Sequence, residues 1–120
     1  MKIVNKKRED SYAIEFNIEE DGKTVGFAFV VIIQNNRHKE PYALLENVYV
    51  DPEYRGKGYA KELLKSIMKK VKELDCYKFI ATSRYSNEGV HEWYKKVGFE
   101  DWGKEFRMNL NGSKPLQEEY

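Results

Sequence analysis

The sequence predicts one mixed α/β domain, in which three strands are followed by a helix, a strand, a second helix and two closing strands. Two changes of pattern support this order. The first third of the chain alternates apolar and polar residues with a period of two. The chain then passes through a Gly-rich turn into the period of a helix. The length of 120 residues agrees with one domain, and this mixture of elements is typical of the α+β or mixed α/β classes.

The first three strands are predicted from alternation and from turn residues. Apolar side chains recur at every second position from Ser11 to Ile18, and β-branched and aromatic residues dominate Thr24 to Ile33. The Asp21-Gly22 pair between them predicts an antiparallel hairpin. Tyr42 to Val50 is predicted as the third strand, and Pro52 ends it because proline cannot continue a ladder. We expect one face of this strand to carry Tyr42, Leu44, Glu46, Val48 and Val50.

The second half of the chain alternates helices with short strands. Gly58 to Leu74 places its leucines, isoleucine, methionine and valine on one stripe, and Asn87 to Val97 repeats this pattern before Gly98. A short, largely buried strand is predicted for Tyr77 to Thr82. Two closing strands are predicted around Gly103, at Phe99 to Trp102 and at Glu105 to Leu110. The domain is therefore expected to span residues 1–110, followed by a polar tail at 111–120.

Composition excludes several classes of protein. Lys plus Arg number 21 and Asp plus Glu number 20, so a net charge of +1 argues against a protein built to coat nucleic acid or an anionic membrane. One Cys excludes an internal disulfide framework, and one Cys with two His is a poor set of zinc ligands. The longest apolar run, Phe27 to Ile33, is too short to span a bilayer. These features predict a soluble, cytoplasmic protein without a metal site.

The segment that carries most functional information is the Gly-rich turn Arg55-Gly56-Lys57-Gly58-Tyr59-Ala60. Glycines let the backbone turn tightly, and the amides that follow begin a helix, where the helix dipole favours an anion. A pyrophosphate fits this arrangement. The segment is not a P-loop, and Lys61 stands where the dinucleotide fingerprint needs a third small residue. A strand-to-helix turn without a ligand remains the alternative.

Two separated segments resemble the GNAT (Gcn5-related N-acetyltransferase) superfamily. The turn at residues 55–60 matches the family's Arg/Gln-x-x-Gly-x-Gly/Ala signature and follows a strand that ends Val-x-Val-x-Pro-Glu. Residues 87–99 are similar to the family's Asn-x-x-Ala-x-x-x-Tyr-x-x-x-Gly-Phe segment, although Val90 replaces the usual small residue. The Phe106-x-Met108 strand also fits, so the resemblance covers residues 42–110. It implies the GNAT acyl-CoA N-acyltransferase fold, with a central, mostly antiparallel twisted sheet and flanking helices.

The resemblance implies an N-acetyltransferase that uses acetyl-CoA and transfers the acetyl group to an amine by direct attack on the thioester. The backbone at the end of the third strand would hydrogen-bond the pantetheine arm and polarise the thioester carbonyl. The amides of the Gly-rich turn would hold the pyrophosphate, and an asparagine would meet the pantetheine or adenine side. The cofactor-binding residues implied in this way are Val48, Tyr49, Val50, Arg55, Gly56, Lys57, Gly58, Tyr59, Ala60 and Asn87.

Two side chains are candidates for proton transfer. Tyr94 matches the family tyrosine that protonates the departing thiolate, a task that suits a phenol because its pKa lies close to that of a thiol. The alternative is that Tyr94 only packs on the buried face of its helix. Glu46 lies within an otherwise apolar strand and is the candidate base for the attacking ammonium. An edge-facing or salt-bridged carboxylate is its alternative.

The sequence departs from the family at its amino-terminal side. Family members usually carry two helices between the first strands, whereas only Met1 to Asp10 precedes the first predicted strand here. We therefore expect a reduced helical region and an acceptor side that is open or is completed by a second copy in a homodimer. The acceptor could then be a small amine or a protein or peptide amine. The alternative function is a non-catalytic, coenzyme A-binding regulatory module.

Overall fold

The computed structural model of the chain describes residues 1–83, 86 and 88–112, and the statements below concern these residues. Four strands form one sheet in the order β1-β2-β3-β4. Strands β1, β2 and β3 are antiparallel neighbours, and β4 lies parallel to β3. The elements are β1 (Tyr12–Glu20), β2 (Lys23–Ile33), β3 (Tyr42–Val50), a 3-10 turn (Pro52–Tyr54), α1 (Tyr59–Glu73), β4 (Phe79–Ala81) and α2 (Glu88–Val97). The predicted mixed α/β class and the order of the first six predicted elements are confirmed.

The β1–β2 hairpin closes at the predicted Asp21-Gly22 pair. Both residues have positive φ, 50° at Asp21 and 79° at Gly22. Positive φ at both central residues is the geometry of a type I′ turn, whose twist matches that of the flanking strands. Pairing runs from Glu20↔Lys23 at the turn to Tyr12↔Ile32 at the open end.

The core lies between one face of the sheet and helix α1. Every second residue of β2 is buried on this face, and α1 contributes one turn-spaced stripe. Ile67, at the centre of that stripe, has no exposed surface. The buried cluster consists of Ala28, Val30, Ile32, Ala43, Leu45, Leu63, Leu64, Ile67 and Val71. Helix α2 adds partly buried side chains to the edge of the same cluster, so both helices lie on one side of the sheet.

A β-bulge in β3 overturns the prediction that Glu46 shares a face with Val48 and Val50. Asn47 adopts φ 59°, and the register shifts there, since Phe29 pairs with Glu46 but Phe27 pairs with Tyr49. The extra residue reverses the alternation of side chains along the rest of the strand. Val48 consequently packs towards the core, while Glu46 is exposed on the opposite face.

Strand β4 is shorter than the predicted Tyr77–Thr82. It pairs with β3 over three positions, and the last pair is Leu45↔Ala81. Beyond that pair β3 continues to Val50 without a strand on this side among the described residues. The sheet therefore opens between β3 and β4 at the height of Glu46.

The prediction of two closing strands is wrong for the single chain. Helix α2 ends at Gly98, which has φ 112°, as expected of a glycine at a helix end. No strand follows within residues 99–112, of which residues 100–112 are exposed. A strand requires a neighbouring strand to satisfy its amides, and in one copy this segment has none. Residues 113–120 of the predicted tail lie outside the described residues, and no described helix is long and apolar enough to cross a membrane.

Candidate functional site

A cleft of about 300 Å³ lies at the end of β3. Its floor is the last part of β3, its rim is the Gly-rich turn with the start of α1, and its far wall is α2. Most of the residues predicted to bind the cofactor take part in it, together with Tyr94. The lining residues are Val48, Val50, Tyr54, Arg55, Gly56, Gly58, Tyr59, Ala60, Lys61, Val90, Trp93 and Tyr94.

The Gly-rich turn presents amides at the start of α1. Gly56 and Gly58 have φ of 76° and 85°, a conformation that side-chain-bearing residues rarely adopt. The first amide that donates within the helix is that of Glu62, which bonds to Gly58 O at 3.1 Å. The preceding amides, at Tyr59, Ala60 and Lys61, therefore have no acceptor inside the helix. They lie at the positive end of the helix dipole, so the turn is suited to bind a phosphate group.

Arg55 ties the turn to the end of β3. Its Nε donates a hydrogen bond of 2.7 Å to the carbonyl oxygen of Val50, and its guanidinium carbon lies 5.4 Å from the ring centre of Tyr49. The cation-π distance is within the range in which the ring attracts a cation. Arg55 thus holds the backbone of the turn in place and keeps a positive charge at the cleft.

Two tyrosines support the turn from the side of the β1–β2 hairpin. The Tyr59 hydroxyl donates a hydrogen bond of 2.8 Å to Glu20 Oε1, and this bond raises the pKa of Tyr59 because a bonded proton is harder to remove. The rings of Tyr54 and Tyr59 stack with centres 5.8 Å apart. Lys57 lies with its Nζ 5.4 Å from the Tyr54 ring and does not line the cleft. The structure therefore does not bring the Lys57 side chain into the cleft with the rest of the turn.

Tyr94 lies on the far wall of the cleft, as its predicted role requires. It is half-buried, and its ring packs beside Trp93 at 5.7 Å and Phe99 at 5.3 Å. Packing on both sides fixes the direction of the ring, so the packing alternative and the catalytic role are compatible. Asn87, which precedes the first turn of α2, lies outside the described residues.

Four lining residues were not predicted from the sequence as cofactor contacts. Tyr54 is the last residue of the 3-10 turn, Lys61 is the third residue of α1, and Val90 and Trp93 lie on α2 with Tyr94. Lys61 could have been predicted from the sequence, because the third residue of a helix that follows an anion-binding turn faces the same ligand as the turn. Trp93 carries no such signal, since its indole could equally face the core.

Glu46 lies apart from the cleft, on the face of the sheet that neither helix covers. Its cross-strand partner Phe29 lies next to Phe27 on this face, with ring centres 6.1 Å apart, and Phe27 lies 5.4 Å from the ring of Tyr49. Phe29 also pairs with Glu15 of β1. The carboxylates of Glu15 and Glu46 thus lie on either side of the Phe29 ring. Because β2 separates their two strands and neighbouring strands lie about 4.8 Å apart, the Cα atoms of Glu15 and Glu46 are roughly 10 Å apart.

Among residues 1–83, 86 and 88–112, the other reactive side chains do not form a second catalytic site. Burial raises the pKa of the Cys76 thiol, which disfavours the thiolate, and Cys76 packs against the core. The His38 ring stacks on Tyr77 with centres 3.7 Å apart, at the opposite end of β3 from the cleft. Within the described part of the chain, no group of three or more His, Cys, Asp or Glu side chains is placed to hold a metal ion.

Comparison with known proteins agrees with this geometry. A model of the acetyltransferase (GNAT) family matches residues 3–99, which include the Gly-rich turn, Glu46 and Tyr94. The chain belongs to the GNAT family. The resemblance seen at residues 55–60 and 87–99 is thereby confirmed, and the family match extends it to the β1–β2 hairpin.

Individual GNAT relatives are 29–32% identical to the chain over the aligned residues. It is 32% identical over 98 residues to an aminoglycoside N(6')-acetyltransferase type 1 from Stenotrophomonas maltophilia, covering 78% of this chain and 64% of that one. It is 29% identical over 103 residues to a spermine/spermidine N(1)-acetyltransferase from Bacillus subtilis, covering 82% and 65%. A crystal structure of a Trypanosoma brucei acetyltransferase superposes with a TM-score of 0.69 at 29% identity, covering 83% and 69%. The chain thus spans less than two thirds of the length of the two curated relatives.

The structure also shows where Val90, which departs from the family motif, is located. Val90 lies on the wall of the cleft, near Trp93 and Tyr94, where the GNAT motif has a small residue. Its larger side chain narrows the cleft at the start of α2. The sequence predicted a reduced helical region on the amino-terminal side. Residues 1–10 are exposed and contain no helix, in agreement with this prediction.

Proposed function

We propose that the protein is an acetyl-CoA-dependent N-acetyltransferase that transfers the acetyl group to a primary amine by direct attack on the thioester. The observation that carries this proposal is the cleft itself. An anion-binding turn forms one end, and the hydroxyl-bearing ring of Tyr94 lies on the wall opposite. A coenzyme A-binding module needs the turn but has no use for a proton donor in the same cleft.

The cofactor is placed by three parts of the chain. The pyrophosphate binds the amides of residues 56–61, where the dipole of α1 and the charge of Arg55 oppose its negative charge. The pantetheine arm lies along Val48 to Val50, on the side of β3 that β4 leaves open, and pairs with it as an added strand. The family resemblance adds Asn87, which lies outside the described residues, to the proposed cofactor contacts.

The reaction then needs three proton transfers between the substrates and the side chains. The amine nitrogen forms a bond to the thioester carbon, and a backbone amide near Val48 stabilises the oxyanion. When the carbon–sulfur bond breaks, the phenol of Tyr94 gives its proton to the thiolate. Glu46 accepts the first proton of the attacking ammonium, directly or through water. The acylated nitrogen gives its second proton to the Tyr94 phenolate, and Glu46 releases its proton to solvent, so the amide product and free coenzyme A leave and both side chains return to their starting states.

The open face of the sheet is the proposed acceptor side. Glu46 lies where β3 and β4 separate, so an amine held there reaches the thioester through the opening. Glu15 supplies a second carboxylate across Phe29, and aromatic rings attract cations. We therefore propose an acceptor that carries at least one positive charge besides the reacting amine. The two curated relatives described above are named for acceptors with several amines.

Calorimetry followed by a thiol-release assay tests this function. We expect acetyl-CoA to bind, and coenzyme A to be released in the presence of polyamines, amino sugars or lysine-containing peptides. Release should be greater for acceptors with two or more amines than for matched monoamines, because two carboxylates face them. Binding without release on any acceptor would favour the regulatory module, and absence of binding would overturn both functions.

Glu46→Gln is expected to lower kcat about 100-fold, since a positioned general base contributes at least that much. Glu15→Gln should instead raise KM for a diamine and leave kcat nearly unchanged, because Glu15 contacts only the remote amine. The measurement is steady-state thiol release over a range of acceptor concentrations. Glu73→Gln, at the exposed last position of α1, is the matched control and should change neither constant. Equal behaviour of the Glu46 and Glu73 variants would show that Glu46 is not the base.

A further inference from the structure

Lys78 is a cation held between aromatic rings at the end of the sheet remote from the cleft. Its Nζ lies 4.8 Å from the ring centre of Tyr42 and 5.4 Å from that of Tyr77. Both distances are within the range of a cation-π attraction. Lys78 is exposed, and it forms no ion pair with any residue that the structure describes. Its charge is therefore positioned and open to an anion from outside the chain.

The rings around Lys78 restrict its side chain. The His38 ring stacks on Tyr77 with centres 3.7 Å apart, so a ring beside the ammonium is itself held in place. The attraction comes from the rings and not from their hydroxyl groups, since a phenylalanine ring attracts a cation in the same way. An unrestrained lysine loses rotamer freedom when it pairs with a carboxylate, and contacts that already restrict the side chain reduce this entropy cost.

Lys78 shares the uncovered face of the sheet with Glu46. Tyr42 and Glu46 lie four residues apart on β3 with unbroken pairing between them, so their side chains point to the same face. Lys78 directly precedes β4, whose first residue, Phe79, packs towards the core, so Lys78 points to the opposite face. Four residues of a strand span roughly 13 Å. An acidic and a basic side chain thus mark the two ends of one track along β3.

The track between these two ends is apolar. Leu44 lies midway between Tyr42 and Glu46 on β3. Its cross-strand partners are Val31 on β2 and Ile80 on β4. These three apolar side chains are only half-buried, so part of each remains in contact with solvent. An uncovered apolar strip between opposite charges is complementary to a ligand that carries an amine, an apolar group and a carboxylate in that order.

We propose that Lys78, held over the ring of Tyr42, binds a carboxylate of the acceptor, and that the acceptor is an extended peptide. This inference rests on the proposed function, because it takes Glu46 as the place of the reacting amine. In an extended peptide, residues four positions apart are separated by roughly 13 Å and point to the same side. The track therefore selects a lysine and an acidic residue at this spacing, with an apolar residue midway between them to contact Leu44.

Polyamines and amino sugars use only the acidic end of this track. They carry no anionic group, so Lys78 repels them and contributes nothing to their binding. The second positive charge proposed above lies towards Glu15, across the strands, whereas Lys78 lies along β3. A peptide can satisfy both requirements at once, because its charges extend in two directions from the reacting amine.

Peptides with blocked termini test the spacing. The reference is Ser-Lys-Ser-Val-Ser-Glu-Ser, and the comparison peptides move the glutamate to three or five positions from the lysine or replace it by glutamine. The series is also made in the reverse order, because a peptide can lie along β3 in either direction. In at least one order, the spacing of four should lower Kd and KM about three- to fivefold relative to the other peptides. Fluorescence anisotropy gives Kd, and thiol release gives KM.

Variants at Lys78 test the assignment. Lys78→Gln should remove the preference for glutamate at the spacing of four. Lys78→Glu should reverse it, so that a peptide with lysine in place of the glutamate binds better, which loss of the fold would not produce. Lys69→Glu makes the same change of charge at an exposed position of α1 and should keep the wild-type preference. Equal binding of all spacings by the wild type, or a Lys78→Glu variant that still prefers glutamate, would overturn the proposal.

Binding and turnover distinguish this inference from the proposed function. A spacing preference in Kd that depends on Lys78, without coenzyme A release on any acceptor, would retain Lys78 as a peptide-binding residue and overturn the transferase. Release on polyamines with no spacing preference among the peptides would retain the transferase and overturn the role of Lys78. Absence of peptide binding would likewise overturn that role.

Discussion

Tyr94→Phe is expected to lower kcat about 100-fold or more and to change the affinity for acetyl-CoA by less than about threefold. The substitution removes only the hydroxyl that protonates the thiolate. The packing of the ring against Trp93 and Phe99 is retained. Single-turnover measurement of coenzyme A release, with the affinity measured separately by calorimetry, separates the chemical step from binding.

Tyr77→Phe is the matched control for this experiment. The Tyr77 hydroxyl accepts a hydrogen bond of 3.0 Å from Asn35 Nδ2, at the end of β4 remote from the cleft. Its loss should leave both kcat and affinity unchanged. If Tyr94→Phe weakens cofactor binding and turnover of the bound cofactor stays at the wild-type rate, Tyr94 only packs, and the proton must come from another donor.

Gly58→Ala is expected to weaken acetyl-CoA binding about 10- to 100-fold. A Cβ at Gly58 meets no protein atom within 4 Å, so it would project into open space at the rim of the cleft. The φ of 85° also costs a side-chain-bearing residue about 1–2 kcal/mol. Loss of one charge-assisted hydrogen bond to the pyrophosphate, worth about 1.5–3 kcal/mol, accounts for the weaker binding. Calorimetry gives the affinity, and denaturant unfolding gives the free energy of unfolding.

Gly22→Ala separates backbone strain from the loss of a ligand contact. Gly22 has a similar φ of 79° and equally open surroundings, but it does not line the cleft. It should show a similar loss of stability and an unchanged affinity for acetyl-CoA. An equal loss of affinity in both variants would mean that the Gly58 effect is one of folding, and the turn would no longer be assigned to the pyrophosphate.

The features that could be predicted from the sequence are those set by neighbouring residues. The Asp21-Gly22 turn forms where its two residues accept positive φ, and α1 follows its apolar stripe from Tyr59 to Glu73. The Gly-rich turn also belongs to this group, because Gly56 and Gly58 adopt the conformation that glycine favours. The position of Tyr94 in the cleft followed from the family resemblance, since a tyrosine on an apolar helix face is otherwise a packing residue.

The features that could not be predicted depend on residues distant in the chain. Asn47 forms a bulge only because β3 pairs with β2 around it, and that bulge carries Glu46 to the face opposite Val48. The shortness of β4, and with it the opening of the sheet beside Glu46, likewise depends on where two strands separate.

The sequence by itself determined the local elements, the Gly-rich turn and the family, because hydrophobic period and glycine placement act over a few residues. Only the tertiary structure decided which face Glu46 occupies, since the bulge at Asn47 reverses the alternation along the rest of β3. It also decided that residues 104–110, although patterned as a strand, find no partner in their own sheet. A strand is stable only beside another strand, and this requirement is met between distant segments or between chains.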